Sequence, residues 1–214
     1  METINDIKYE WTDYFVTRKT NVKKLWKPKL DELISRIEDL KGKELENYLN
    51  LLCEAYFDYT LEIPILHPTI WSKILIQWEN NISTLDVKNL IWIYKASTYK
   101  DVYKIFNFEP DQILENALEL EPHNKEVKEL LYLYKLDTLY FALHELPTGL
   151  VIDKEVCIRD IKECELMIKE NKEFSNLRTR FDLDFEYYKN LFYAWQEYKL
   201  KNIEEDFYEW VRHK

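Results

Sequence analysis

Four histidines and three cysteines are the first residues to weigh for chemistry, because imidazoles and thiols supply many of the general bases, nucleophiles and metal ligands of proteins. None of His67, His123, His144 and His213 stands in a His-Glu-x-x-His helix, and none has a glutamate three residues before it. Zincin and di-iron carboxylate patterns are therefore absent. His67 and His123 adjoin Pro68 and Pro122, which places both in turns. His144 ends an apolar segment, where its charge would favour a helix C-terminus and where burial would make it a base. Cys157 and Cys164 stack on one helical face with Ile161 between them, and Cys53 lies beside Leu49, Leu52 and Tyr56. Thiols in such company are small hydrophobes. Asp182, Asp184 and Glu186 offer carboxylates for a divalent cation, but on a helix Asp182 and Glu186 share a face while Asp184 points away. No metal and no cofactor is expected. A catalytic site would have to be assembled from separated residues, with His144, His67 or the 182–186 carboxylates as its candidates.

Glycine-dependent chemistry is excluded more firmly. The chain has two glycines, Gly42 and Gly149, in 214 residues. Phosphate-cradling loops, dinucleotide turns and nucleophile elbows need glycines grouped where backbone meets ligand or turns sharply, and neither glycine here has a glycine neighbour.

Charge separates the remaining surfaces. The formal net charge is −10, which opposes general nucleic-acid binding and recruits cationic partners. Residues 18–29, RKTNVKKLWKPK, run against that sign with Arg18, Lys19, Lys23, Lys24, Lys27 and Lys29 around Trp26. A basic stretch with an aromatic could take phosphates or RNA; a solvated linker after a helix end is the favoured reading. Residues 109–129 are acidic, with Glu115, Glu119 and Glu126 among seven carboxylates against Lys125 and Lys128. A second acidic region interleaves Glu204, Glu205, Asp206 and Glu209 with Phe207, Tyr208 and Trp210. Carboxylates steer a basic protein and aromatics anchor it. Glu115, Glu119, Glu126, Tyr208, Glu209 and Trp210 are thus the expected protein-binding residues, with Trp210 the leading anchor.

Helical periodicity must position all of these, and it runs through nearly every segment. Ile4, Ile7, Trp11 and Phe15 form one stripe; Pro28 opens a helix through Leu30, Leu33, Ile34, Ile37 and Leu40 that Gly42 ends. Leu45, Tyr48, Leu49, Leu52 and Tyr56 make the next, which the short turn predicts as an antiparallel neighbour. Ile70, Trp71, Ile74, Leu75 and Trp78 follow, then a helix capped by Ser83 or Thr84 with Val87, Leu90, Ile91 and Tyr94 inward, and a turn or two around Val102, Ile105 and Phe106. Residues 110–121 form a short helix, and 125–146 is apolar around most of its circumference, as a central helix is. Pro147-Thr148-Gly149 is the strongest break. Beyond it lie a helix over 153–170, a long one with Leu177, Phe181, Phe185, Tyr188, Phe192 and Trp195 on one face, and a last short one with Ile203, Phe207 and Trp210. The pattern predicts one all-α domain over residues 1–214, of nine or ten helices in antiparallel hairpins, with its main internal break at 147–150.

Residues 113–124, ILENALELEPHN, resemble the second helix and exit turn of a tetratricopeptide repeat: Ala117 stands at the small position that lets paired helices approach, Leu114 at the large apolar position between helices, and Pro122 at the helix-ending position. The resemblance implies a solenoid-like stack of helical hairpins that binds another protein. Upstream the pattern departs, since the family's small residue there falls on Pro110 and its glycine–aromatic pair on Thr98 and Asp101.

The opening residues METINDIKYEW lack the apolar run of a signal peptide, and no segment approaches the roughly 20 apolar residues of a membrane span. Three cysteines do not make a disulfide framework. The expected protein is therefore cytoplasmic and non-enzymatic. It binds a basic protein, with no membrane or nucleic-acid partner, and in its most concrete form it is an immunity-type protein that occludes a cationic toxin. The alternatives are a helical enzyme and a phosphate or nucleic-acid binder acting through residues 18–29.

Overall fold

In a computed structural model, which describes residues 3–99, 102, 109–179 and 182–213, 74% of the described residues are helical and none of them forms a strand. The fold is all-α, as the periodicity predicts. Eleven α-helices are described: α1 (Ile4–Glu10), α2 (Thr12–Arg18), α3 (Lys23–Asp39), α4 (Gly42–Phe57), α5 (Pro68–Asn80), α6 (Val87–Ala96), α7 (Pro110–Leu120), α8 (Lys125–Ala142), α9 (Lys154–Glu170), α10 (Phe185–Lys201) and α11 (Phe207–Arg212). The chain divides into two compact units, Met1–Ile113 and Leu114–Lys214.

In the first unit the opening stripe bends at Trp11, which separates α1 from α2 while its ring is fully buried. The Trp11 indole donates to the Tyr48 hydroxyl at 3.1 Å, and that hydroxyl donates to the Glu10 carboxylate at 2.9 Å. Arg36 closes the chain on Glu10 at 2.7 Å. Buried aromatics with polar tips need such partners, and these bonds tie α1 to α3 and α4. Ile70, Trp71, Ile74, Leu75 and Trp78 of α5 are all buried, as their spacing predicts. Further along, the Trp92 indole donates to the Asp58 carboxylate at 3.1 Å and so fastens α6 to the end of α4.

Four local expectations change. Pro28 lies inside α3, not at its start; the N–H it lacks would have bonded the Lys24 carbonyl, and Lys24 is exposed to water that can serve instead. Gly42 begins α4 with a φ of +53°, a left-handed turn that glycine adopts without Cβ strain. Helix α3 packs mainly on α2 and α5, and α4 on α1 and α5, while Arg36 of α3 lies over the Tyr48 ring of α4 at 6.0 Å. Residues Ile82–Thr84 form a 3₁₀ turn, and Asp86 caps α6 by accepting the Asn89 N–H at 2.8 Å. Val102 is buried, while Ile105 and Phe106 lie outside the described residues.

In the second unit, Tyr132, Leu136, Leu139 and Ala142 of α8 meet Cys157, Ile161 and Cys164 of α9. Phe185, Tyr188 and Phe192 of α10 and Phe207 of α11 complete this core. The Pro147-Thr148-Gly149 break lies within the unit and is stitched to it: the Trp195 indole donates to the Pro147 carbonyl at 3.3 Å, and the Tyr208 hydroxyl to that of Leu146 at 3.2 Å. The long aromatic helix begins at Phe185 and not at Leu177. Asp184 stops it by accepting the Tyr187 N–H at 2.9 Å, which satisfies one of the orphan donors of the first turn. Asp182 before it has a φ of +59°, and Phe181 lies outside the described residues.

Candidate functional site

Helix α10 is apolar on two sides. Phe185, Tyr188 and Phe192 enter the core, and the side that remains carries Tyr187, Asn190, Leu191, Tyr193 and Ala194. With Val211 of α11 they line an open groove of about 390 Å³. Leu191 and Ala194 are its partly and fully buried residues, while Tyr187 and Tyr193 stand 45% and 46% exposed. Rigid, amphipathic tyrosines around an apolar floor are what protein interfaces use as anchors.

Helix α11 is held beside α10 by the sequence around it. Asp206 caps it through the Tyr208 and Glu209 N–H groups at 3.0 and 3.1 Å. Phe207 is fully buried, 5.2 Å from the Tyr198 ring, and the Tyr198 hydroxyl donates to the Glu205 carbonyl at 2.7 Å. Tyr208, 43% exposed, keeps its phenol protonated: burial raises its pKa, and the Tyr187 phenol and Asp206 carboxylate nearby raise it further.

The residues expected from sequence fall as follows. Tyr208 and Glu209 are exposed on α11. Trp210 is half-buried and packs on Tyr198 at 5.8 Å between ring centres, so it is a structural support of α11 as well as a surface residue. Glu115 and Glu119 are exposed one turn apart on α7, and Glu126 is exposed in the first turn of α8, where the helix dipole favours it. None of these six residues lines the groove. Lys125 and Lys128 of the same stretch reach Glu173 at 2.7 Å and Glu170 at 2.6 Å, and so join the start of α8 to the end of α9.

Tyr187 and Tyr193 were missed by sequence reasoning. They fall off the 185/188/192/195 stripe, and an aromatic out of register with the core face is the signal that would have found them.

The second arrangement that sequence missed is a charge network inside the second unit. Lys135 is buried on α8 between Leu131 and Leu139, one turn from each. Its Nζ lies 2.6 Å from Glu163 and 3.3 Å from Asp160 on α9, and Arg159 reaches the same Asp160 oxygen at 3.3 Å. Burial alone would lower the Lys135 pKa; the Glu163 hydrogen bond and the two carboxylates outweigh it and hold the ammonium charged above its ordinary range. Burial pushes the neighbouring Cys157 thiol up to about 11 and Cys164 up to about 12. These thiols are neutral, buried and poor nucleophiles.

The histidine and carboxylate candidates are dispersed in both units. His67 begins α5 half-buried, its Nδ1 without a hydrogen-bond partner. His123 and His144 are exposed, and His213 meets Glu205 at 3.2 Å. Asp182 and Glu186 do not share a helical face, because the helix starts after Asp182. Among the described residues no three His, Cys, Asp or Glu side chains gather as a metal site requires, and no helix is long and apolar enough to cross a membrane.

No family model, curated protein or solved structure matches this chain.

Proposed function

We propose that this protein is a non-enzymatic, cytoplasmic protein-binding module that takes a basic protein on the tyrosine-lined groove between α10 and α11. The observation that carries this reading is the groove: two tyrosines, Tyr187 and Tyr193, nearly half exposed around an apolar floor, on a helix whose opposite side already fills the core. Side chains of that size left in water are supported more readily by a partner than by the fold. Charge supports the sign of the partner, since Glu204 and Glu209 are exposed just before and on α11, on a molecule of net charge −10. An immunity-type role, occluding a cationic toxin, is the most concrete form of the proposal. A tetratricopeptide-like helix pair around α7 fits the same reading: Leu114 and Ala117 are fully buried, and Pro122 follows the helix end.

Site-specific photocrosslinking in the cells of origin tests it. A photoreactive phenylalanine analogue at Tyr193 should trap one discrete basic protein, and the same analogue at Tyr9, which is 86% exposed in the first unit, should not. Equal trapping at both positions, or none at Tyr193, overturns the proposal.

A further inference from the structure

We propose that the tip of the α2–α3 pair docks on an anionic lipid bilayer. Residues 18–25 are all exposed and carry Arg18, Lys19, Lys23 and Lys24 without an acid. Farther from the tip the cations are committed, Lys27 to Asp31 at 2.7 Å and Lys29 to Asp13 at 3.4 Å. Three aliphatic side chains in and next to this stretch stand in water: Val16 at 61%, Val22 at 47% and Leu25 at 50% exposure. Val22 and Leu25 are three residues apart and share one side of the start of α3.

The fold gives these residues no reward where they stand. Val22 occupies the N-cap position of α3 and makes no capping hydrogen bond; Ser, Thr, Asp and Asn serve there, and an aliphatic is among the poorest choices. Lys23 and Lys24 fill a first turn that holds no acid, so their charge opposes the positive end of the helix dipole. Local rules broken together without a compensating core contact mark a site kept for function. An anionic bilayer surface rewards both departures, because the aliphatic carbons leave water and the ammonium groups meet phosphate and carboxylate headgroups. A surface contact needs no membrane-spanning helix, so the short apolar runs of this chain do not oppose it.

Nucleic acid would meet the same cations but would leave the aliphatics without a partner. Base stacking needs an open aromatic face, and Trp26, the one aromatic among residues 16–29, is half-buried, edge-on to Tyr14 at 6.4 Å and covered by the Arg18 guanidinium at 4.7 Å. The net charge of −10 does not prevent contact, since charges more than about 8 Å from the bilayer are largely screened at physiological ionic strength.

Vesicle co-sedimentation of the full chain tests the proposal. The protein should pellet with phosphatidylcholine–phosphatidylserine vesicles and remain in solution with phosphatidylcholine alone. Lys23→Glu with Lys24→Glu should weaken partitioning at least about tenfold. Val22→Ser with Leu25→Ser should weaken it about tenfold with charge unchanged, and because serine is the better N-cap, that loss does not come from a damaged helix. No pelleting with the acidic vesicles, or pelleting that the serine pair leaves unchanged, overturns the proposal. Low-salt binding to fluorescent oligouridylate RNA that ignores the serine pair, in place of vesicle binding, overturns it in favour of a nucleic-acid surface.

Discussion

Lys135 and Asp160, with side chains 1% and 2% exposed, face each other from α8 and α9 with Nζ and Oδ1 3.3 Å apart. A charge removed from water this fully is tolerated only where its partners are in place, so the pair fixes how the two helices meet. Removing one member leaves the other buried with only a partly exposed partner, Glu163 for Lys135 and Arg159 for Asp160. Lys135→Ala or Asp160→Ala should each destabilise the protein by about 3–5 kcal/mol, whereas Lys135→Met combined with Asp160→Leu should recover most of that loss. Urea unfolding of the three variants checks this. A double variant no more stable than the singles would show that volume, and not charge, dominates at this contact.

The same network predicts loss of stability at alkaline pH. Lys135 has a folded-state pKa above its ordinary 10.5, so its contribution is complete below about 10.5 and is lost as pH rises through the folded value. Cys157 and Cys164, ordinarily near 9.0, titrate near 11 and 12 when folded. Between those limits the unfolded chain releases thiol protons that the folded chain keeps, which also favours unfolding. The melting temperature should fall from about pH 9 upward, and Cys157→Ala with Cys164→Ala should make that fall shallower without abolishing it, since burial also raises the Cys53 thiol. A melting temperature flat from pH 8 to 11 would contradict the assignment.

All three cysteines are buried and unpaired, and burial raises each thiol pKa, Cys53 included. A thiol-reactive chromogen should therefore label none of them rapidly in the native protein and three in denaturant. Fast labelling of any one would place it at an accessible, thiolate-stabilising site.

Much of this fold is legible in the sequence because its helices follow simple stripes. The spacing of Ile70, Trp71, Ile74, Leu75 and Trp78, and of Cys157, Ile161 and Cys164, names buried residues correctly, since helical periodicity and core burial are one physical fact. Helix starts were less legible. Leu177 and Phe181 continue the aromatic spacing upstream of Phe185, yet the cap made by Asp184 decides the boundary, and capping competes with periodicity over a single hydrogen bond. Lys135 was hidden for a different reason: a lysine on an apolar stripe reads as an exception until the facing Asp160 is known, and the pairing is tertiary. The groove was not legible: none of the six residues singled out for binding lines it, and Tyr187 and Tyr193 gain meaning only once the other side of α10 is seen to be full.

Binding and packing roles separate on α10 and α11. Trp210→Ala should lower stability by about 1–3 kcal/mol, because the half-buried indole packs on Tyr198. Tyr193→Ser, at an exposed position, should stay within about 0.5 kcal/mol of the parent. Thermal unfolding checks both. A Trp210→Ala variant as stable as the parent would return that indole to the purely surface role its sequence context suggests.

Val22→Ser should stabilise the protein by about 1 kcal/mol, since it places a capping hydroxyl where α3 now has none. Urea denaturation reads the change directly. Destabilisation would mean that the Val22 side chain is supported within the fold, contrary to its exposure.

The central claim is that the α10–α11 groove holds a protein partner, and the most direct measurement is the affinity of the photocrosslinked protein, once purified, for the parent chain and for Tyr187→Ser combined with Tyr193→Ser. Loss of two central anchors worth about 2 kcal/mol or more should weaken binding by roughly 30-fold or more, chiefly through faster dissociation. Glu119→Lys with Glu126→Lys should instead slow association, most clearly at low salt, if the α7–α8 acids steer the encounter. A tyrosine pair variant that folds normally and binds with the parent's affinity would contradict the account.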